Sequence, residues 1–149
     1  MLVSVQSVEQ SRALQKHQFE AETCFGYYFS REKIEPEILN EDLVQLKNYM
    51  MEEKPFLNPA LTIQDIAREI NVPVRELSVL INHQLGQHFY DFVNTYRIEQ
   101  AMKILKDPSK SKLTILEILY EVGFNSKSSF NTAFRKHIGK TPTEFRKSL

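Results

Sequence analysis

Lys127, Ser128, Asn131, Thr132 and Arg135 recur at three- and four-residue spacings, which places them along one side of a helix. Their ammonium, hydroxyl, amide and guanidinium groups give that side hydrogen-bonding capacity and positive charge. Such groups meet phosphate oxygens and nucleic-acid base edges. Phe130, Phe134 and Ile138 interleave with them and fall on the opposite side, so the helix has one face to bury and one to present. Ser126, just ahead, stands where an N-cap is needed.

Such a helix needs a partner to hold it at a fixed angle, and the residues before it supply one. Ile115, Ile118, Leu119 and Val122 follow the i, i+3, i+4, i+7 pattern of a one-sided apolar helix. Thr114 and Glu117 have the spacing of a capping box. Gly123 then supplies a residue that tolerates positive φ, so the chain can turn sharply between the two helices. A helix, a short glycine turn and a second helix with a polar, basic outer face form the helix-turn-helix pattern, whose second helix enters a DNA major groove.

The pattern occurs twice. LTIQDIAREINVP at Leu61 aligns with LTILEILYEVGFN at Leu113, pairing Thr62 with Thr114, Ile66 with Ile118 and Ile70 with Val122. Asn71 falls where Gly123 falls, and Asn tolerates the left-handed conformation better than most residues. After the turn the offset grows by one residue, and Leu77, Leu80, Ile81, Leu85 and Gly86 pair with Phe130, Ala133, Phe134, Ile138 and Gly139. The units are expected at residues 61–86 and 113–139, in a domain spanning 40–149.

Between them, residues 88–106 carry an apolar stripe of Phe89, Phe92, Val93, Tyr96, Ala101, Ile104 and Leu105, ended by Asp107-Pro108. A continuous helix of that length would be about 28 Å long. One duplex turn rises about 34 Å, so a rigid connector could set two reading helices in successive grooves. A further helix is expected from Asn40 as N-cap, with Leu43, Leu46 and Met50 on one face, stopped by Pro55 and Pro59. Residues 1–39 lack sustained periodicity despite the aromatics Tyr27, Tyr28 and Phe29; they read as a tail or linker, with a docking strand as the alternative.

The chain of 149 residues is 42% hydrophobic and 26% charged, within the range of helical proteins that fold in water. It contains no apolar run long enough to span a membrane and no basic-then-apolar leader, which points to the cytoplasm. The single cysteine, Cys24, fits a reducing compartment, and no metal or cofactor site is expected. Formal net charge is zero, but its distribution is uneven. Residues 1–60 hold six Lys/Arg against ten Asp/Glu, whereas residues 61–149 hold thirteen against nine. From Lys127 onward there are six bases and one acid, Glu144, the footprint of a phosphate-binding face. Phosphate loops, GxSxG, HExxH and clustered Cys/His are all absent from the sequence, so an enzyme is not expected.

The tandem units, the connector FYDFVNTYRIEQAMKIL and the closing signature GFNSKSSFNTAFRKHIGKTPTEFR together resemble the DNA-binding domain of the AraC/XylS family of bacterial transcription regulators, over about Asn40 to Lys147. The resemblance implies an all-α fold of about seven helices, with two helix-turn-helix subdomains joined by a long linker helix. It also implies binding to double-stranded promoter DNA and activation through contact with RNA polymerase. Sensory or dimerisation domains often precede this one in the family, so homodimerisation is expected through such a domain or through the N-terminal segment. The chain would then be a small regulator or the output end of a longer sensor.

Carried over by position, the first reading face comprises Arg75, Ser78, Val79, Asn82 and His83; the second comprises Ser128, Asn131, Thr132, Arg135 and Lys136, with Lys127 one step earlier. Val79 and Thr132 stand where many relatives have a basic residue. Asn82 and Asn131 suit paired hydrogen bonds to adenine, Arg75 and Arg135 suit guanine, with phosphate the alternative for Arg135 near the end of its helix, and Val79 suits a thymine methyl. Thr62 and Thr114 read as caps rather than DNA contacts, and His83 and His137 as surface residues rather than ligands. Arg97 reads equally as a brace through an ion pair or as a DNA contact. The competing function is a helical module that keeps the fold and binds protein instead of DNA.

Overall fold

Prolines, threonines and residues of positive φ punctuate the chain into seven α-helices among the described residues, with no strand among them. The structure, a computed structural model, describes the backbone of residues 36–149 and side chains from residue 41. The expectations for Cys24 and the Tyr27–Phe29 aromatics lie outside those residues. The chain divides into units Met1–Gln45 and Leu46–Leu149, and the second carries both helix-turn-helix patterns.

Helix α1 runs Pro36–Glu52, so it starts earlier than the Asn40 cap expected from sequence. Proline suits the first turn, where its missing N–H costs nothing, and Asn40 lies inside the helix instead of capping it. Leu46 and Met50 are fully buried. Lys54, with φ of 50°, then turns the chain into a 3-10 turn at Pro55–Leu57.

The first helix-turn-helix pairs α2 (Ile63–Glu69) with α3 (Val74–Val79), and the second pairs α5 (Ile115–Glu121) with α6 (Lys127–Ile138). The internal repeat extends to individual hydrogen bonds. Thr62 and Asp65 form one capping box, and Thr114 and Glu117 form the other, with the Thr114 N–H donating to the Glu117 carboxylate at 2.7 Å. Past each first helix, the Val72 N–H donates to the Ala67 carbonyl at 3.0 Å and the Phe124 N–H to the Leu119 carbonyl at 2.9 Å. Between those donors and acceptors stand Asn71 and Gly123, with φ of 55° and 97°. The two turns are therefore built alike, with asparagine tolerating in the first what glycine provides in the second.

The second helices differ. Helix α6 is a regular helix of 12 residues that Ser126 caps and Gly139 ends. Helix α3 is regular for six residues and then widens into a π-helical turn at Leu80–Gln84, closed by the Leu85 N–H on the Leu80 carbonyl at 3.4 Å.

Helix α4 (Phe89–Lys106) connects the units, and 18 residues give it a length of about 27 Å. It packs against the Pro55–Leu57 turn and the π-turn of the first unit and against α5 and α6 of the second. Ile98, Ala101, Ile104 and Leu105 join Ile118, Leu119, Val122, Phe124, Phe130, Ala133 and Phe134 in one buried cluster. Nearer the start of the helix, Tyr96 stacks on Phe56 and meets Phe92 edge-on. Because both cores share this helix, neither unit can rotate without breaking apolar contacts. Helix α7 (Pro142–Lys147), capped by a third box formed by Thr141 and Glu144, sets Phe145 edge-on to Phe134.

Candidate nucleic-acid interface

On α6, Phe130, Ala133 and Phe134 face the core, which turns the intervening residues outward. Lys127, Ser128, Thr132, Arg135 and Lys136 are exposed and Asn131 is half-buried, so the candidate residues of the second unit lie together on one accessible side. Lys136 stands at the edge of that side, where its Nζ pairs with Asp91 Oδ1 of α4 at 2.8 Å. Both partners are solvent-accessible, and such a pair contributes roughly 0–1 kcal/mol. His137 beside it lies 3.3 Å from the Thr95 hydroxyl, so this edge of α6 leans on the connector. At the far end, hydrogen bonds from the Thr141 amide and hydroxyl hold the Glu144 carboxyl below its ordinary pKa, with smaller contributions from Arg135 and Lys140.

The first unit presents less. Arg75, Ser78, Asn82 and His83 are half-buried. Val79 is only 8% exposed and belongs to the core, which corrects the expectation that it lies open to a thymine methyl. The Asn82 amide donates to the Ser78 carbonyl at 2.8 Å and to the Ser78 hydroxyl at 3.2 Å. These bonds lie where the helix widens into its π-turn, so Asn82 and His83 do not continue the regular spacing that brings Arg135 and Lys136 onto one face of α6.

Arg97 proves to be a brace, but one made with backbone carbonyls. The residue is 7% exposed, with Nε donating to the Phe56 carbonyl at 2.7 Å, Nη2 to the Asn58 carbonyl at 2.9 Å and Nη1 to Asn94 Oδ1 at 3.3 Å. The guanidinium also lies 5.5 Å from the centre of the Phe124 ring, within cation–π range. Burial pushes its pKa below the ordinary arginine value. One side chain thus ties the Pro55–Leu57 turn, the connector and the second helix-turn-helix together, and it is withdrawn from any DNA-facing surface. Gly123 completes this junction. A Cβ built there would lie inside van der Waals contact of the Phe56 carbonyl oxygen and 3.0 Å from Arg97 Nε.

Among the described residues there is no cluster of three His, Cys, Asp or Glu able to hold a metal ion, and no helix long and apolar enough to cross a membrane.

Comparison with known proteins agrees with this geometry. Residues 66–148 match a helix-turn-helix domain family of AraC type. The Msm operon regulatory protein of Streptococcus mutans is 27% identical over 115 residues, covering 74% of this chain and 40% of that protein. The chain thus spans less than half the length of this curated relative. The C-terminal domain of AraT, a response regulator from Geobacillus stearothermophilus, superposes with a TM-score of 0.59 at 30% identity, over 70% of this chain and 85% of that one. The DNA-binding domain of the global transcriptional factor AdpA, solved in complex with a target DNA, shares the fold with a TM-score of 0.59 at 19% identity, over 71% of this chain and 90% of that one. With more than half of its length matched and both helix-turn-helix units in place, the chain belongs to the AraC-type helix-turn-helix family.

Proposed function

We propose that this chain is a sequence-specific, non-enzymatic regulator of transcription that sets α3 and α6 in successive major grooves of promoter DNA in the bacterial cytoplasm. The supporting observation is α4, a helix about 27 Å long that packs against elements of both helix-turn-helix units. That length suits grooves one duplex turn apart, on one face of an asymmetric or direct-repeat site. Arg75 and His83, flanking Ser78 and Asn82 in the sequence, form the first contact surface, and Lys127, Ser128, Asn131, Thr132, Arg135 and Lys136 form the second. The fold shared with a domain solved on its target DNA supports this reading. Activation through RNA polymerase is the mode that the family resemblance suggests, and pairing of two chains would double the length of promoter read.

The test is retention of duplexes from a random pool at several salt concentrations. Binding should weaken steeply with salt, because phosphate neutralisation releases counterions. Five base pairs inserted between the two halves of a selected site should reduce affinity at least about tenfold, since half a turn moves one groove to the opposite face. Absence of salt-dependent retention would favour a protein-binding module, and indifference to the insertion would rule out coupled reading heads.

A further inference from the structure

Building on the DNA-binding reading, we infer that the two reading helices are unequal: α6 sets the sequence preference, and α3 contributes affinity through the DNA backbone with little base readout. The repeat places Ser78, Val79, Asn82 and His83 at the positions of Asn131, Thr132, Arg135 and Lys136. At those equivalent positions, the second unit exposes Thr132, Arg135 and Lys136 and half-exposes Asn131. Among the described residues, no hydrogen bond within the protein engages the side chains of Ser128, Asn131 or Thr132, so their groups need not abandon a partner to meet a base edge.

The first unit has withdrawn three of its corresponding groups, Ser78, Val79 and Asn82. Asn is suited to adenine because its amide N–H donates to N7 while its carbonyl oxygen accepts from N6. In Asn82 that amide nitrogen already donates to the carbonyl and the hydroxyl of Ser78, so the Ser78 oxygen accepts within the protein. Reading adenine through Asn82 would take away at least one of these bonds. Val79 is buried and offers no surface to a thymine methyl. The π-turn at Leu80–Gln84 gives the end of α3 a different spacing from α6, so the two helices cannot present equivalent residues to equivalent base pairs. Asn82 is on this account a positioning residue that closes the widened turn, whereas Asn131 and Arg135, with Ser128 and Thr132, determine specificity.

The experiment is a base-by-base substitution scan of a duplex selected from a random pool, bound by the full chain, with the half read by α6 identified by the positions where Asn131→Ala flattens the preference. Substitutions in that half should each weaken binding on the order of tenfold, the discrimination of one good bidentate contact. Substitutions in the other half should stay within about threefold, although removing that half entirely should cost at least about tenfold through lost phosphate contacts. Asn82→Ala should leave the preference profile unchanged; Ser78→Ala, which retains the helix and removes only the hydroxyl partner, guards against misfolding of the first variant. Comparable base costs in the two halves, or a flattened profile in either first-unit variant, would overturn the inference while leaving DNA binding intact. Failure to retain any duplex would overturn both the inference and the reading beneath it.

Discussion

The Arg97 Nε–H donates to the Phe56 carbonyl at 2.7 Å, joining residues 41 apart in the chain through a side chain that is almost wholly buried. No carboxylate shares this site in the hydrogen bonds Arg97 makes; carbonyl dipoles and an aromatic face receive the charge instead. Arg97→Met keeps much of the volume but leaves the Phe56 carbonyl without its donor. A loss of about 2–4 kcal/mol is expected in urea denaturation, the scale of an unsatisfied buried group plus lost charged hydrogen bonds. Arg97→Lys should recover only part of it, because an ammonium cannot span both carbonyls as the planar fork does. A change below about 0.5 kcal/mol, typical of surface substitutions, would show that the brace contributes nothing.

Two glycines with positive φ separate conformational strain from crowding. Gly139, at φ of 78°, has nothing within 4 Å of an added Cβ, so Gly139→Ala should cost only the strain of a left-handed residue, about 1–2 kcal/mol. Gly123, at φ of 97°, adds a clash with the Phe56 carbonyl and close approach to Leu57 and Arg97. Gly123→Ala should therefore be the more damaging by at least about 1 kcal/mol, since overpacking must displace backbone. Equal melting temperatures for the two variants would contradict the close approach.

Much of this architecture can be read locally, because caps and turns depend on neighbours in sequence. Thr114 with Glu117, the left-handed Asn71 and Gly123, and the buried faces of α5 and α6 are all specified within a few residues. Arg97 was ambiguous because its partners are backbone carbonyls about forty residues away, which leave no complementary charge to find in the sequence. Asn40 has the look of a cap because acidic residues follow it, but Pro36, four residues earlier, is equally suited to opening a helix and does so. The candidate site was legible on α6, where side-chain spacing follows a regular helix. It was less so on α3, where the π-turn alters the spacing and burial withdraws Val79. The Thr141 and Glu144 capping box has the same Thr-x-x-Glu spacing as Thr114 and Glu117, but it lies inside the closing signature GFNSKSSFNTAFRKHIGKTPTEFR and goes unread there.

Acid should loosen three helices together. The Thr62 hydroxyl and amide hold Asp65 below the ordinary carboxylate pKa, and the amides and hydroxyls of Thr114 and Thr141 do the same for Glu117 and Glu144. A carboxyl with a lower pKa in the folded state than in the unfolded chain stabilises the fold fully above the ordinary range. That contribution is lost as pH falls through the folded value, so the decline belongs below about pH 4. The combined variant Asp65→Asn, Glu117→Gln and Glu144→Gln should have a shallower fall in melting temperature between pH 5 and pH 3 than the unaltered chain, about those two pH limits being set by the same ordinary values. An equally steep fall would place the acid sensitivity elsewhere.

Lys136 and Asp91 provide a separate handle on backbone contacts. In the free protein their 2.8 Å pair partly neutralises the edge of α6 nearest the connector. On binding, the ammonium can leave Asp91 for a phosphate, which strands a carboxylate beside the DNA backbone. Lys136→Ala should therefore weaken every duplex by a similar factor and reduce the salt slope by about one, the signature of one lost phosphate contact. Asp91→Asn should do the reverse and strengthen all duplexes by a few-fold, because the repelling carboxylate is gone while Lys136 remains. Neither change touches a base edge, so the order of preferred sequences should stay as it was. If Asp91→Asn weakens binding, the pair acts mainly to hold α6 against α4, and the orientation of the helix matters more than the charge it frees.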